Sequence, residues 1–198
     1  MRVLKKDLRG EEGEIALLPE SLDDLWHLQH LISRGDLVFA LTHRKLPAIA
    51  DKARPEKMER KTVRLGVKVE DVEFHMYSNW LRVHGTIKSG MDVGQYHTLN
   101  IEVGTDLSIL KYHWRPDLLA RIDEAVAESQ RPKVVIALIE EGEATIGILR
   151  QFGVQMAAEL RQGSGKGSGE DSRPGFLREV AAAIDQTAQE GADVILAG

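Results

Sequence analysis

The first hundred residues alternate between apolar and polar positions in short runs, a pattern typical of half-buried β-strands. The clearest run places Val63, Leu65, Val67 and Val69 on one face. Weaker runs predict further strands near residues 15–18, 37–41, 72–77, 80–87 and 96–103. Because turn residues separate these short runs, the pattern predicts a small barrel or a strongly bent sheet.

Two helices are predicted beside these strands. Ser21 and Asp24 have the spacing of a capping box before the first helix, and Gly35 suits the position just after its C-terminus. Pro116 suits the first turn of the second helix, whose apolar stripe extends to about Ser129. We therefore expect one early helix within the strand-rich region and one helix that follows it.

The pattern changes after the second helix, and we place the domain boundary there, giving domains 1–130 and 131–198. Beyond it, apolar runs at residues 134–139, 144–149, 154–160 and 194–196 predict strands, and Phe176, Val180 and Ile184 mark a helix. Continuous apolar strands indicate an α/β layer whose sheet is covered on both faces. One helix covers one face, so we expect this domain to be incomplete, unless the helix after Pro116 or a partner chain covers the other.

The composition excludes several classes of protein. The 198 residues include no cysteine, which removes disulfide frameworks and thiolate chemistry. The chain shows neither a secretory signal nor the ~20 apolar residues of a membrane span, so a cytoplasmic location with no membrane partner is expected. The formal net charge is −5, which argues against a generally basic nucleic-acid binder.

The basic charge is concentrated in one stretch. Residues 44–64 contain eight basic and three acidic residues, a net charge of +5, so the rest of the chain carries −10. A long connection that is rich in Lys and Arg neutralises phosphates and gains affinity through the release of counterions. The stretch therefore indicates RNA binding, with a solvated loop of no specific role as the alternative.

A second loop, Gly163–Gly169, resembles a nucleotide-binding sequence but fails its requirements. A Walker loop needs Ser or Thr after its lysine, and here Gly167 follows Lys166. We interpret the segment as a flexible loop. Together with Arg161 and Arg173, Lys166 could still contact phosphate or an acidic partner surface.

Candidate metal and catalytic residues are weak. A two-metal nuclease centred on Glu20 is the alternative function, but the spacing of Glu20, Asp23 and Asp24 also suits the first turn of a helix, and that interpretation is preferred. His27 and His30 have helical spacing without a third ligand nearby. We therefore predict no metal site and no cofactor, with a divalent metal only in the nuclease alternative.

Four aromatic residues are candidates for stacking on nucleobases: Trp80, Tyr96, Tyr112 and Trp114. Aromatic residues make up 5% of the chain, which is few for a protein of this size. We therefore expect most of the four to lie in the core.

Several segments carry a resemblance to a known family. They are Leu4–Leu8, Leu17–Glu20, Asp23–Leu28, Gly35-Asp36, Thr42–Lys45 and Gly85–Leu99 in the first domain, and Val134–Ile148 in the second. In these segments the chain resembles the Pelota family of ribosome-rescue factors, which are paralogues of class-1 release factors. It is most similar to the archaeal members.

The resemblance implies an α+β fold: an Sm-like N-terminal small β-barrel with one helix, then part of a central α/β domain of RNase H-like topology. A third domain would begin beyond Gly198. Such factors enter the empty A site of stalled ribosomes with a translational GTPase that resembles the elongation factor delivering aminoacyl-tRNA. They promote subunit dissociation with an ABC-type recycling ATPase, in no-go and non-stop mRNA surveillance, and act as monomers.

The resemblance also assigns roles to residues. The loop that reaches the decoding region corresponds to Thr42–Lys61. The residues predicted to contact rRNA or mRNA are His43, Arg44, Lys45, Lys52, Arg54, Lys57, Arg60 and Lys61. The family's second basic loop corresponds to Arg161–Arg173, which is only weakly basic here. No Gly-Gly-Gln occurs in the sequence, so peptide release is not expected. The acid of a disputed nuclease role would be Glu20.

Overall fold

The computed structural model describes residues 1–45, 60–129, 131, 133–162, 173–188 and 192–198. The chain divides into two compact units, Met1–Ser129 and Gln130–Gly198. In the described part of the chain, none of the helices is both long enough and apolar enough to cross a membrane.

The described part of the first unit contains strands and helices with the following bounds. They are β1 (Arg2–Arg9), β2 (Glu12–Leu18), α1 (Leu22–Leu31), β3 (Leu37–Lys45), β4 (Arg60–His75), β5 (Trp80–Ser89), β6 (Tyr96–Glu102), β7 (Leu107–Lys111) and α2 (Pro116–Glu128). All seven strands form one antiparallel sheet in the order β1-β2-β7-β3-β4-β5-β6. The predicted runs at 63–69 and 72–77 are parts of the single strand β4.

Of the two predicted forms, a small barrel or a strongly bent sheet, a closed barrel is not found among the described strands, because β1 and β6 remain separate edges of the sheet. The sheet nevertheless curls. Three strand spacings of about 4.8 Å would put β3 and β6 about 14 Å apart in a flat sheet. Thr42 Oγ1 in β3 instead lies 3.1 Å from His97 Nε2 in β6. Register shifts in β4, between Gly66 and Val67 and between Val69 and Asp71, are the points at which β-bulges add this bend.

The start of α1 is held by a network around one buried carboxylate. The backbone N–H of Asp24 donates to Ser21 Oγ at 3.2 Å, and Asp24 Oδ2 accepts from the backbone N–H of Ser21 at 3.0 Å. This confirms the predicted capping box. Asp24 Oδ2 also lies 2.7 Å from the amino group of Met1, so the same carboxylate ties the helix to β1.

The predicted end of α1 was wrong. The helix ends at Leu31 with Ile32 as an extended C-cap, rather than with glycine just after the helix. Gly35 instead has a φ of +96° in the turn between α1 and β3, where its N–H donates to the carbonyl of Val69 at 2.8 Å. A positive φ is easily adopted by glycine, and this explains its place in the turn.

Both helices of the first unit pack on the same core as the sheet. Leu25 and Leu28 of α1 are fully buried in it, and Leu118, Ile122 and Ala125 of α2 join the same cluster. The apolar stripe of α2 is therefore buried within the first unit.

A buried ion pair lies inside the first unit. Lys111 at the end of β7 is 3% exposed, and its Nζ pairs with Asp36 Oδ2 before β3. The same Nζ lies 5.4 Å from the centre of the Trp114 ring. The Asp36 carboxylate is also held by the backbone, because Asp36 Oδ2 accepts from the N–H of Ser33 at 2.7 Å. The pair therefore joins two segments that are 75 residues apart in the sequence.

The second unit is a smaller α/β layer. Its described elements are β8 (Val134–Glu140), β9 (Glu143–Arg150), β10 (Gly153–Arg161), α3 (Arg173–Thr187) and β11 (Asp193–Ala197). The sheet order is β10-β9-β8-β11, with β11 parallel to β8 and the other pairs antiparallel. Phe176 and Val180 of α3 pack with Ala144 of β9 in one cluster.

In the described residues of this unit, α3 covers one face of the sheet, as expected from the single helix that the sequence predicts. Apolar side chains remain exposed at Leu138, Leu149, Val154 and Met156. The edge strand β11 is exposed along its whole length, although its sequence predicts a buried strand. An apolar run predicts burial from its own composition, whereas burial also needs a neighbour on each side.

Candidate RNA interface

The β3–β4 hairpin carries a cluster of basic residues at the end next to the segment that connects its two strands. The register places Arg44 opposite Lys61 and Lys45 opposite Arg60. We call these four residues the hairpin base. Four basic residues in two successive register pairs concentrate positive charge at one place, which favours a polyanionic partner.

Hydrogen bonds below the hairpin base connect it to the rest of the sheet. His43 is exposed, and its Nδ1 lies 3.2 Å from Thr62 Oγ1 on the opposite strand. Arg64 Nη2 donates to Ser108 Oγ of β7 at 3.1 Å, which anchors the strand to a buried residue. Together with the Thr42–His97 contact, these bonds tie β3 and β4 to each other and to the neighbouring strands β6 and β7.

The connection across the top of this hairpin lies outside the described residues. It contains Lys52, Arg54 and Lys57, three of the predicted RNA contacts, and their places stay predictions. The structure brings the other four basic contacts together as the hairpin base, with His43 directly below them. Arg64 was counted in the basic stretch but not among the predicted contacts. It follows Thr62 by two residues in β4 and so lies on the same face of the strand, a spacing that the sequence already showed.

Glu20, the candidate nuclease acid, lies just before α1 and serves the helix start. Its backbone N–H donates to Asp24 Oδ2 at 2.7 Å. Its carboxylate lies 3.5 Å from Arg2 Nε and 3.9 Å from the amino group of Met1. Over the residues that the structure describes, no group of three His, Cys, Asp or Glu is arranged to hold a metal ion. The surroundings of Glu20 therefore supply cations rather than further acidic ligands.

The first unit also decides the family. Residues 1–126 match the family model of the Pelota N-terminal domain. The chain belongs to the Pelota family. It is 68% identical over 198 residues to the protein pelota homolog of Methanothrix thermoacetophila, and the match covers 100% of this chain and 57% of that relative.

Solved structures of Pelota proteins resemble the chain along its whole length. The crystal structure of Archaeoglobus fulgidus Pelota matches with a TM-score of 0.52 and 43% identity, over 100% of this chain and 52% of that one. A model of ribosome-bound archaeal Pelota and ABCE1 matches with a TM-score of 0.55 and 37% identity, over 100% of this chain and 58% of that one. The Pelota-family chain thus spans about half the length of the relatives that it matches.

The second unit of this Pelota-family chain contains the weaker basic candidates, and the structure describes two of them. Arg161 ends β10, and its Nε lies 3.5 Å from Glu143 Oε1 in an exposed pair. Arg173 is the first residue of α3 and is exposed. Lys166 and the rest of Gly163–Gly169 lie outside the described residues.

The paired histidines of α1 in this Pelota-family chain have separate roles. His27 is 1% exposed, and its Nε2 lies 3.1 Å from Glu128 Oε2 of α2, so it links the two helices. His30 Nδ1 lies 2.8 Å from the carbonyl of Trp26. These two contacts do not bring the imidazole rings together as ligands of one metal ion.

The aromatic candidates divide between core and surface. Trp114 is 2% exposed, and its Nε1 donates to the carbonyl of Gly13 at 2.9 Å. Trp80 is half-buried, whereas Tyr96 and Tyr112 are 65% and 85% exposed. The expectation that most of the four lie in the core was therefore wrong for the tyrosines.

Proposed function

We propose that this chain is the RNA-contacting part of a ribosome-rescue factor that enters the empty A site of stalled ribosomes. The observation that carries the proposal is the hairpin base, in which two consecutive cross-strand pairs are basic on both sides. A concentration of positive charge on one hairpin suits the phosphates of rRNA and mRNA. The ribosome-bound state of the archaeal Pelota relative supports this choice of polyanion.

In this proposal, the first unit is an Sm-like domain and the second is the start of an RNase H-like central domain. The curled seven-strand sheet with its early helix suits the first, and the mixed sheet with α3 on one face suits the second. The complete factor works in the cytoplasm as a monomer, with a translational GTPase and an ABC-type recycling ATPase. It promotes subunit dissociation in no-go and non-stop surveillance, needs no cofactor and does not release the peptide.

The phosphate contacts of the hairpin base fix the position of the chain without reading sequence, because phosphates are the same along every strand. A rescue factor needs this property, since ribosomes stall on many different messages. The hydrogen bonds of Thr42 to β6 and of Arg64 to β7 fix the orientation of the hairpin relative to the rest of the sheet. Positive charge on a hairpin that is hydrogen-bonded to its neighbouring strands is therefore the feature on which the proposed function depends.

The proposal predicts that binding depends on the state of the A site. Purified archaeal ribosomes are prepared with an mRNA and a P-site tRNA, with the A site either empty or filled by a second tRNA. The chain is expected to bind the empty complexes and to be excluded from the filled ones, as measured by co-sedimentation. Equal binding to both complexes would show that the chain attaches elsewhere on the ribosome, and the proposal would then be wrong.

A further inference from the structure

A second surface of the first unit carries rings that the proposed function does not use. Along β5, Leu81 and Val83 are fully buried in the core, so the alternating residues lie on the outer face. These outer residues are Trp80, Arg82 and His84, of which Arg82 is exposed and the two rings are half-buried. The neighbouring strands β4 and β6 extend this face on both sides.

One end of this face is hollow. A recess of about 400 Å³ is lined by His75, Ser78, Trp80, Arg82, Thr98 and Asn100. This volume falls within the range of about 300–1,000 Å³ that is usual for small-molecule sites. The register explains its composition, because Trp80 lies opposite His75 on one side, and Arg82 lies opposite Asn100 on the other. A flat ring thus lies beside an amide and a guanidinium.

The other end of the face carries an exposed, oriented ring. Tyr96 is 65% exposed and stacks on His84, with 5.7 Å between the ring centres and 6° between the planes. His84 is itself held by a 2.9 Å contact between its Nδ1 and Thr98 Oγ1. The imidazole therefore fixes the orientation of the tyrosine ring while much of the tyrosine remains open to solvent.

We propose that this face of β4, β5 and β6 binds unpaired nucleobases of single-stranded RNA. One base stacks on Trp80 in the recess, where the Asn100 amide and the Arg82 guanidinium offer hydrogen bonds to its edge, and a second base stacks on Tyr96. The stacking surfaces of Trp80 and Tyr96 are separate. Tyr96 stacks on His84, which is four residues, or about 13 Å, from Trp80 along β5. Flat rings flanked by polar groups are the usual platform for single-stranded nucleic acid.

The charges of this face distinguish it from the hairpin base. Glu73 lies opposite Arg82 in β4, and Glu102 lies opposite Trp80 in β6. With one arginine and two acids at these register positions, attraction to phosphate contributes little here and stacking supplies the affinity. The inference shares with the proposed function the choice of RNA as ligand, but it rests on different residues and a different physical effect.

The test compares RNA with and without bases. Fluorescently labelled hexaadenylate RNA and an abasic ribose–phosphate hexamer are titrated with the 198-residue chain over a range of salt concentrations. The variants are Trp80→Ala, Trp80→Phe, Tyr96→Ala and Asn100→Ala. Tyr112→Ala serves as the matched control, because Tyr112 is 85% exposed outside this face. Thermal melting checks that each variant is folded, and Tyr96→Ala and Asn100→Ala decide the test if Trp80→Ala does not fold.

We expect hexaadenylate to bind more tightly than the abasic hexamer, and Trp80→Ala to weaken hexaadenylate binding by roughly 5- to 100-fold. The affinity for the abasic hexamer and the slope of log K against log salt should stay unchanged, since no phosphate contact is lost. Trp80→Phe should retain most of the affinity, and Tyr112→Ala all of it.

Equal affinity for the two hexamers would overturn the inference, and so would folded Tyr96 and Asn100 variants that leave the preference for bases intact. Neither result affects the proposed function, which predicts a change of salt slope when the hairpin base is altered. If this face shows no preference for bases while alteration of the hairpin base still changes the salt slope, the face does not bind RNA and a protein ligand becomes the candidate for it.

Discussion

Alanine at the four positions of the hairpin base is expected to weaken binding to archaeal ribosomes by roughly 100-fold or more at about 0.1 M salt. Each contact between a basic residue and a phosphate contributes about 0.7 to 0.9 to the slope of log K against log salt, because it releases condensed counterions. Losing four contacts should therefore lower the slope by about 3. The measurement is a series of co-sedimentation or anisotropy titrations at increasing salt.

A matched variant separates the hairpin base from general charge. Four basic residues elsewhere in the first unit are exposed and give the same change in net charge when replaced by alanine: Lys6, Arg9, Lys68 and Lys88. This variant is expected to bind within a few-fold of the unaltered chain and to keep its salt slope. If both variants weaken binding equally, net charge rather than the hairpin base governs the interaction.

Replacing Lys111 with methionine is expected to lower the free energy of unfolding of the first unit by about 3–5 kcal/mol. The substitution removes the cation from a pair whose side chains are 3% and 12% exposed, and it leaves the Asp36 carboxylate without its partner. Urea denaturation followed by tryptophan fluorescence measures the loss. Trp26, Trp80 and Trp114 all lie within Met1–Ser129, so this signal reports on the first unit.

Two further variants show whether the uncompensated charge causes this loss. Adding Asp36→Asn to Lys111→Met should recover a large part of the stability, because the amide oxygen can still accept from the N–H of Ser33. Lys5→Met breaks an exposed pair with Asp7, whose side chains are 65% and 58% exposed, and should cost less than about 1 kcal/mol. A Lys111 variant that unfolds at the same urea concentration as the Lys5 variant would contradict this explanation.

The sequence predicted the elements whose pattern is local. Alternation found β4 and β5, the Ser21–Asp24 spacing found the start of α1, and Pro116 with its apolar stripe found α2. These features depend on residues within one or two turns of each other, so a short window of sequence contains the information. The concentration of basic residues was likewise visible without a structure.

The sequence did not reveal β1 and β7. All residues of β1 except Leu8 are exposed, so this edge strand shows no alternation of buried and exposed positions. β7 is short and mostly buried, and it includes the charged Lys111, which interrupts the apolar pattern. Its burial depends on Asp36, which is 75 residues away in the chain. A strand whose burial depends on residues far away in the sequence cannot be predicted from its own residues.

The candidate site was predicted in composition but not in arrangement. The basic stretch named the residues of the hairpin base, whereas only the register shows that Arg44 faces Lys61 and Lys45 faces Arg60. The sequence left open a small barrel or a strongly bent sheet, because the number and spacing of the strands do not determine whether the edges of the sheet meet. Similarly, the link between His27 and Glu128 joins residues 101 positions apart, for which the sequence has no local signal.

The central claim is that the β3–β4 hairpin contacts RNA in the ribosomal A site, and site-specific cross-linking tests it most directly. A photoreactive amino acid replaces the exposed His43, and a second variant carries it at the exposed Tyr112. Both are irradiated on ribosomes with an empty A site, and the cross-linked molecules are identified by sequencing and mass spectrometry. The account predicts that position 43 cross-links to rRNA or mRNA at the A site and that position 112 does not. Cross-links from position 43 to protein alone, or equal RNA yields from both positions, would contradict it.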